Sequence, residues 1–162
     1  MVRKSVTSFR CVVLKSVSFS GWRTSGKILY MQTAAMQFHT PLEYSFVDAP
    51  FPAEGPPDEG IATYYPNKPY FEWFKKRPTQ IPPYEGIDES VALVVDYLKK
   101  NGPFEGIMGF SQGAAMATRL AYLQEKGDKS FEGLSLFKFV ILIGGVPPIE
   151  ISEKVSFLCI LQ

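Results

Sequence analysis

The sequence predicts an α/β fold in three layers, a mostly parallel sheet covered by helices on both faces. Two observations carry that prediction. Strand-like and helix-like segments alternate along the chain, and the strand-like runs Phe104 to Phe110 and Leu136 to Ile143 are apolar on both faces. A strand apolar on both sides belongs in a sheet buried on both sides, which is the habit of parallel sheets. A third observation supplies a covering layer: Ile87, Val91, Val94, Val95 and Leu98 fall on one face of a helix.

In chain order, Arg10 to Leu14 reads as the first strand, continuing unevenly to Phe19. Gly21 to Gly26 is a loop, and a helical stretch runs from about Lys27 to Gln37. Tyr44 to Asp48 is a short buried strand closed by Ala49-Pro50. Residues 50 to 83 hold nine prolines, which rule out regular structure over most of that span. The aromatics Tyr64, Tyr65, Tyr70, Phe71, Trp73, Phe74 and Tyr84 argue against disorder, so the segment reads as an ordered loop packed near a site, with a short helical turn around Tyr70 to Phe74. The helix from Ile87 has Asp88 and Glu89 at its start and Lys99, Lys100 and Gly102 at its end, as the helix dipole and cap preferences favour. A second helix runs from Gln112 to about Lys126 and stops at Gly127. Val155 to Leu161 is a last apolar strand.

The chain's 162 residues correspond to about one domain. A hydrophobic share of 46% and a mean hydropathy near zero describe a globular chain, neither disordered nor membrane-embedded. The formal net charge of +1 supplies no field for nucleic acid or anionic membranes, and no apolar run approaches the ~20 residues of a membrane span. Residues 1–42 carry Arg3, Lys4, Arg10, Lys15, Arg23 and Lys27 and no acid. That composition suits an organellar transit peptide, but the first strand and its loop account for it better. The expected compartment is the cytoplasm, with the nucleus also open.

Cys11 and Cys159 could pair, but two buried thiols in a reducing compartment is the preferred reading. The two cysteines lack metal-ligand spacing, and the lone histidine, His39, cannot complete a zinc site, so no metal or cofactor is expected. His39 sits at a helix end, where a solvent-facing capping role is its default.

The chemistry points to Gly109-Phe110-Ser111-Gln112-Gly113. This G-x-S-x-G pattern is weak by itself, but the apolar Ile107-Met108 leads in and small residues (Ala114, Ala115, Ala117) lead out, the strand–turn–helix context of a nucleophile elbow. A plain strand–helix connection with an incidental serine is the alternative. Phosphate-loop chemistry lacks its lysine.

Gly102 to Ala115 (GPFEGIMGFSQGAA) resembles the family of serine hydrolases, the FSH group of the α/β-hydrolases, whose elbow is typically preceded by G-P-F-[DE]-G. Gly21 to Gly26 (GWRTSG) is similar to its first-loop motif, Phe46 to Ala53 (FVDAPFPA) to its second-strand motif, and Tyr70 to Phe74 with Tyr84 and Ser90 to its aromatic segment. The four motifs stand in the family's order over about residues 20–150. The resemblance implies an α/β-hydrolase domain and a small-molecule carboxylic ester or thioester substrate. It also implies that Ser111 is the nucleophile, and that the backbone amides of Gln112 and Trp22 stabilise the oxyanion. Phe51, Tyr70, Trp73 and Phe74 would line an acyl pocket. Core packing accounts for these four almost as well, and Trp22 is alternatively a buried aromatic anchor.

Two departures stand out. Ser20 takes the place of the histidine before the first-loop glycine, and residues 1–19 diverge from the family. The family also continues past the strand near Val155 to Leu161 to an aspartate and then to the general-base histidine, whereas no histidine follows Ser111 here. Asp128 lies too early for the acid, and Glu150 and Glu153 read as solvated charges. The expectation is one domain over residues 1–162, incomplete at its C-terminal side, inactive or strongly impaired by itself. Such a chain would also leave a sheet edge exposed to a protein partner. Two function classes follow: a serine ester hydrolase, or a non-catalytic binding or regulatory module that keeps the pocket.

Overall fold

A computed structural model of the chain describes residues 13–79, 81 and 83–145, together with the backbone of Cys159–Leu161. The expectations for Arg10 to Val12, the N-terminal basic residues before them, the Cys11–Cys159 thiols, Glu150, Glu153 and residues 155–158 lie outside this set. The strands are β1 (Leu14–Phe19), β2 (Leu42–Val47), β3 (Phe51–Pro52), β4 (Phe71–Glu72), β5 (Lys75–Lys76), β6 (Tyr84–Glu85), β7 (Gly106–Phe110), β8 (Phe139–Ile143) and β9 (Cys159–Leu161). The helices are α1 (Gly26–Gln32), α2 (Ala34–His39), α3 (Glu59–Tyr64), α4 (Ile87–Asn101) and α5 (Gln112–Glu125).

The main sheet has five strands in the order β2-β1-β7-β8-β9, every neighbouring pair parallel. From β1 the chain goes to β2 on one side and returns to β7 on the other. The gap between β1 and β7 is therefore the switch point, outside whose carboxyl ends open α/β sheets hold their ligands. Register places Phe19 beside Gly109 and Phe110 beside Ile143, so residues 20–25, 111–113 and 144–145 gather at one edge.

Alternation along the strands separates two apolar layers. Val17 and Phe19 of β1, Ile107 of β7 and Val140 of β8 join α4 (Val94, Val95, Leu98) and α5 (Met116, Ala117, Leu120) in one cluster. Ile28 and Leu29 of α1 are also buried, outside that cluster, and α1 packs on β1 and β2. Each such side chain contributes roughly 1.5–3 kcal/mol of burial. The three-layer parallel architecture expected from the sequence is what the chain forms.

Three local expectations need correction. The helical stretch after Gly26 is two helices, broken at Thr33, whose hydroxyl bonds the Leu29 carbonyl at 2.7 Å and accepts from Gln37 Nε2 at 2.9 Å. Local side-chain bonds of this kind compete with the helical ladder. The expected helical turn at Tyr70 to Phe74 is instead extended: β4 pairs antiparallel with β3, and Phe71 bridges to Thr24. The strand expected from Leu136 begins only at Phe139, with Leu136 exposed. The helix from Ile87 matches its expected charge pattern, entering from Gly86 at φ 92° and ending at Gly102.

Candidate functional site

Ser111 follows β7 directly and precedes α5, with φ 52° and ψ −114°. A non-glycine residue held there is strained by about 1–3 kcal/mol, a cost kept where the surroundings over-determine it. The surroundings here are tight. A Cβ on Gly109 would lie 2.2 Å from the Gly113 carbonyl oxygen, and one on Gly113 would lie 2.3 Å from that of Phe19. Ser111 donates its backbone N–H to Ile143 at 2.9 Å, and its carbonyl accepts from Ala114 at 3.0 Å. The serine is thereby pinned between β8 and the first turn of α5, half-buried.

The loop after β1 lies against this elbow. A Cβ on Gly21 would sit 3.0 Å from the Phe110 ring and 3.4 Å from Ser111 Cβ. Gln112 supplies the first amide of α5, one with no intrahelical acceptor. Next in the loop, Trp22 is 41% exposed, with the Arg23 guanidinium 4.0 Å over its ring. It is not the buried anchor that was its alternative. Ser20 is fully buried and its hydroxyl has no hydrogen-bond partner, but its carbonyl accepts from Trp73 Nε1 at 2.9 Å.

The proline-rich segment is tied to the elbow by side chains. Gln112 Oε1 accepts from the Trp73 backbone N–H at 2.8 Å, and Gln112 Nε2 donates to the Phe74 carbonyl at 2.7 Å. Ser90 bonds the Trp73 carbonyl from α4. Trp73 itself is fully buried, edge-on to Phe19 at 5.0 Å. It therefore belongs to the core and not to a pocket wall. Glu72, also buried, accepts from Arg23 Nε at 3.0 Å and from the Glu54 backbone at 3.1 Å, and Arg23 further donates to the carbonyls of Pro56 and Glu54.

Beside the elbow these contacts enclose a cleft of about 320 Å³. Trp22, Phe74, Tyr84 and Gln112 form part of its wall, and Lys75, Lys76 and Arg77 bring positive charge. Of the four aromatics expected around an acyl pocket, Phe74 lines this cleft. Phe51 packs against Gly86, and Tyr70 donates its hydroxyl to the Tyr65 carbonyl at 3.0 Å. Neither of these, nor Trp73, lines it.

His39 ends α2, just before β2 begins at Leu42, at the amino edge of the sheet, with its ring against Phe38. From the Leu14–Leu42 level to the Phe19–Gly109 level is five residues, about 16 Å of strand, and Ser111 lies beyond. His39 is on the wrong edge to accept the Ser111 proton. Asp128 lies past the far end of α5, about 21 Å along a 14-residue helix from Ser111. It caps a 3₁₀ turn, accepting from the Ser130 hydroxyl at 2.6 Å and backbone at 2.9 Å, and these bonds hold its carboxyl below the usual range. No group of His, Cys, Asp and Glu among the described residues could hold a metal, and no helix among them is long and apolar enough to cross a membrane.

The sequence reading missed three participants: the Gln112 side chain as a clamp, the Arg23–Glu72 pair, and the cationic side of the cleft. The consecutive Lys75-Lys76-Arg77 was a signal for the last. The other two join residues 39 and 49 positions apart, with no local signature.

Chemically, the arrangement can present a serine hydroxyl at a strained turn, beside free amides at a helix start and next to a cleft. Known proteins are similar to this chain in sequence and in fold. The chain is 29% identical over 160 residues to "Esterase OVCA2" of Homo sapiens, covering 90% of this chain and 69% of that protein. It is 28% identical over 163 residues to "Probable esterase tazC" of Aspergillus terreus, covering 91% and 60%. Among solved structures, the acyl-protein thioesterase 2 of Zea mays superposes with a TM-score of 0.59 at 20% identity, over 91% of this chain and 62% of the maize chain, a likeness of fold. The family model described as serine hydrolase (FSH1) matches residues 12–156. The chain belongs to that serine hydrolase family, on an α/β-hydrolase fold.

Proposed function

We propose that the chain is a single-domain serine hydrolase of carboxylic esters or thioesters, with Ser111 as nucleophile and the backbone amides of Gln112 and Trp22 as oxyanion donors. The observation that carries this reading is the conformation of Ser111, a positive φ kept at the carboxyl edge of the sheet where a plain connection would need none. The Ser111 oxygen bonds to the acyl carbon, the alcohol or thiol leaves with a proton, and water then releases the acid and restores the hydroxyl. Amides aimed at the developing oxyanion are the largest electrostatic aid to such a step.

The base is the weak point. The sequence holds one histidine, and it stands on the opposite edge. A serine without its base keeps roughly 10³-fold catalysis over water, from the oxyanion hole and binding alone. The 162-residue chain by itself is therefore expected to label slowly with a fluorophosphonate at Ser111, and to show no ester turnover above a Ser111→Ala control. Robust turnover abolished by that substitution would mean that another group serves as base. Loss of labelling at Ser111, with the protein folded, would sink the nucleophile assignment.

The same placement of His39 favours a second reading, a binding or regulatory module that retains the cleft without turnover. Mass spectrometry of the endogenous protein separates the two. A product extending past Gln162 with an aspartate and a histidine supports the enzyme, and one ending at Gln162 supports the module.

A further inference from the structure

The charges around the cleft do not cancel, and their excess bears on which esters it takes. Arg23 is spent on the protein itself: Nε on Glu72 and the two terminal nitrogens on the carbonyls of Pro56 and Glu54. Glu54 is shared between Lys75 and Arg77, and Arg77 also meets Glu85 at 2.9 Å. Lys75, Lys76 and Arg77 are thus three cations facing two carboxylates, Glu54 and Glu85. Lys76 is exposed, lines the cleft, and among the described residues has no carboxylate partner.

Donor capacity runs the same way. An ammonium has three donors and no acceptor. Lys75 spends one of its three on Glu54, and Lys76 has all three open to the cleft and to solvent. The rings of Trp22, Phe74 and Tyr84 supply apolar wall to the same cleft, with Tyr84 directly across from Lys76 in the β5–β6 register. The cleft's complement is a ligand with an apolar body and one anionic end.

We propose that this cleft selects esters or thioesters carrying a second, anionic group, a carboxylate or a phosphate, remote from the scissile carbonyl, with Lys76 as the residue that sets this specificity. The proposal rests on the serine-hydrolase reading for the word substrate, but the anion preference belongs to the cleft and is measured apart from turnover. One ion pair near 4 Å in a water-like dielectric is worth about a fivefold difference in affinity. It weakens with salt, because the site is open to solvent.

The test uses the 162-residue chain carrying Ser111→Ala, so that nothing turns over, with binding read from tryptophan fluorescence, Trp22 in the cleft wall being the exposed one of the chain's two tryptophans. Monomethyl suberate, dimethyl suberate and the methyl ester of 8-phosphooctanoate serve as ligands of similar length. The expected result is that the two anionic ligands bind about fivefold or more tighter than the neutral diester at low salt. That ratio should fall toward one in 0.5 M NaCl, and also when Lys76→Gln is added. The order of the carboxylate and phosphate ligands tells which anion the cleft was built for. Equal binding of neutral and anionic ligands overturns the proposal, as does a preference untouched by both salt and Lys76→Gln. Fluorophosphonate labelling is read separately on the parent chain, which keeps Ser111: no labelling there, with the anion preference intact in the Ser111→Ala variant, sinks the hydrolase reading and leaves the anion site. Labelling with a ratio of one does the reverse.

Discussion

The elbow and the proline-rich segment beside it reach the same site by opposite means. Residues 109–113 are positioned by backbone contact: glycines at 109 and 113 lie where a Cβ would be 2.2–2.3 Å from carbonyl oxygens, and Ser111 is held between β8 and α5. Among the described residues, 50–86 contain four two-residue strands and one six-residue helix, and are positioned by side chains reaching over long sequence distances. The elbow should break when its space is filled. The segment should shift when a partner is removed.

The same substitution made in each region tests this most sharply. Gly109→Ala drives a methyl into the Gly113 backbone, and rigid overpacking of that kind costs about 3 kcal/mol or more. Gly60→Ala, inside α3, meets nothing within 4 Å and should stabilise by about 0.5–1 kcal/mol through helix propensity. Urea denaturation of both variants reads the difference. If Gly109→Ala stays within about 1 kcal/mol of the parent, the elbow is not the rigid region described.

Gln112 stands on the boundary between the two. Removing its amide with Gln112→Ala strands the Trp73 N–H and Phe74 carbonyl, for a loss of about 2 kcal/mol. A double-mutant cycle with Ser90→Ala, which bonds Trp73 from α4, should show coupling, since both side chains hold one residue. Strict additivity would mean that elbow and segment are held independently.

This contrast also explains what could be read from the sequence. The elbow was legible because its requirements are local: glycines two positions either side of a serine, an apolar run before, small residues after. The parallel sheet was legible from Phe104 to Phe110 and Leu136 to Ile143 for the same reason. In the segment, by contrast, Phe71-Glu72 is extended because its partner is Phe51-Pro52, twenty residues earlier, and no periodicity within Tyr70 to Phe74 announces that. Nor can a tryptophan in an aromatic-rich loop declare whether it faces a cleft or a core. Trp73 faces the core because the Ser20 carbonyl and the Phe19 ring are there to receive it.

The smallest expected effect lies at the solvent face of the segment, where Glu54 gathers Lys75 and Arg77. Hydrogen bonds first from Lys75 and then from Arg77 hold its carboxyl at about 2, below its ordinary value of 4.5. The folded chain therefore binds this proton less readily than the unfolded chain. The carboxylate stabilises the fold above its unfolded value, and that contribution is lost as the pH falls through about 2. The stability gap between the parent and Glu54→Gln should be present at pH 7, narrow below about pH 4.5 and vanish near pH 2. Because the side chain is 49% exposed, the gap should be small and should shrink further in 0.5 M salt. Denaturant melts at three pH values suffice to trace it. A gap that widened toward acid would show that Glu54 is held by its proton and not by its charge, and the segment would then owe its place to buried contacts such as Trp73 alone.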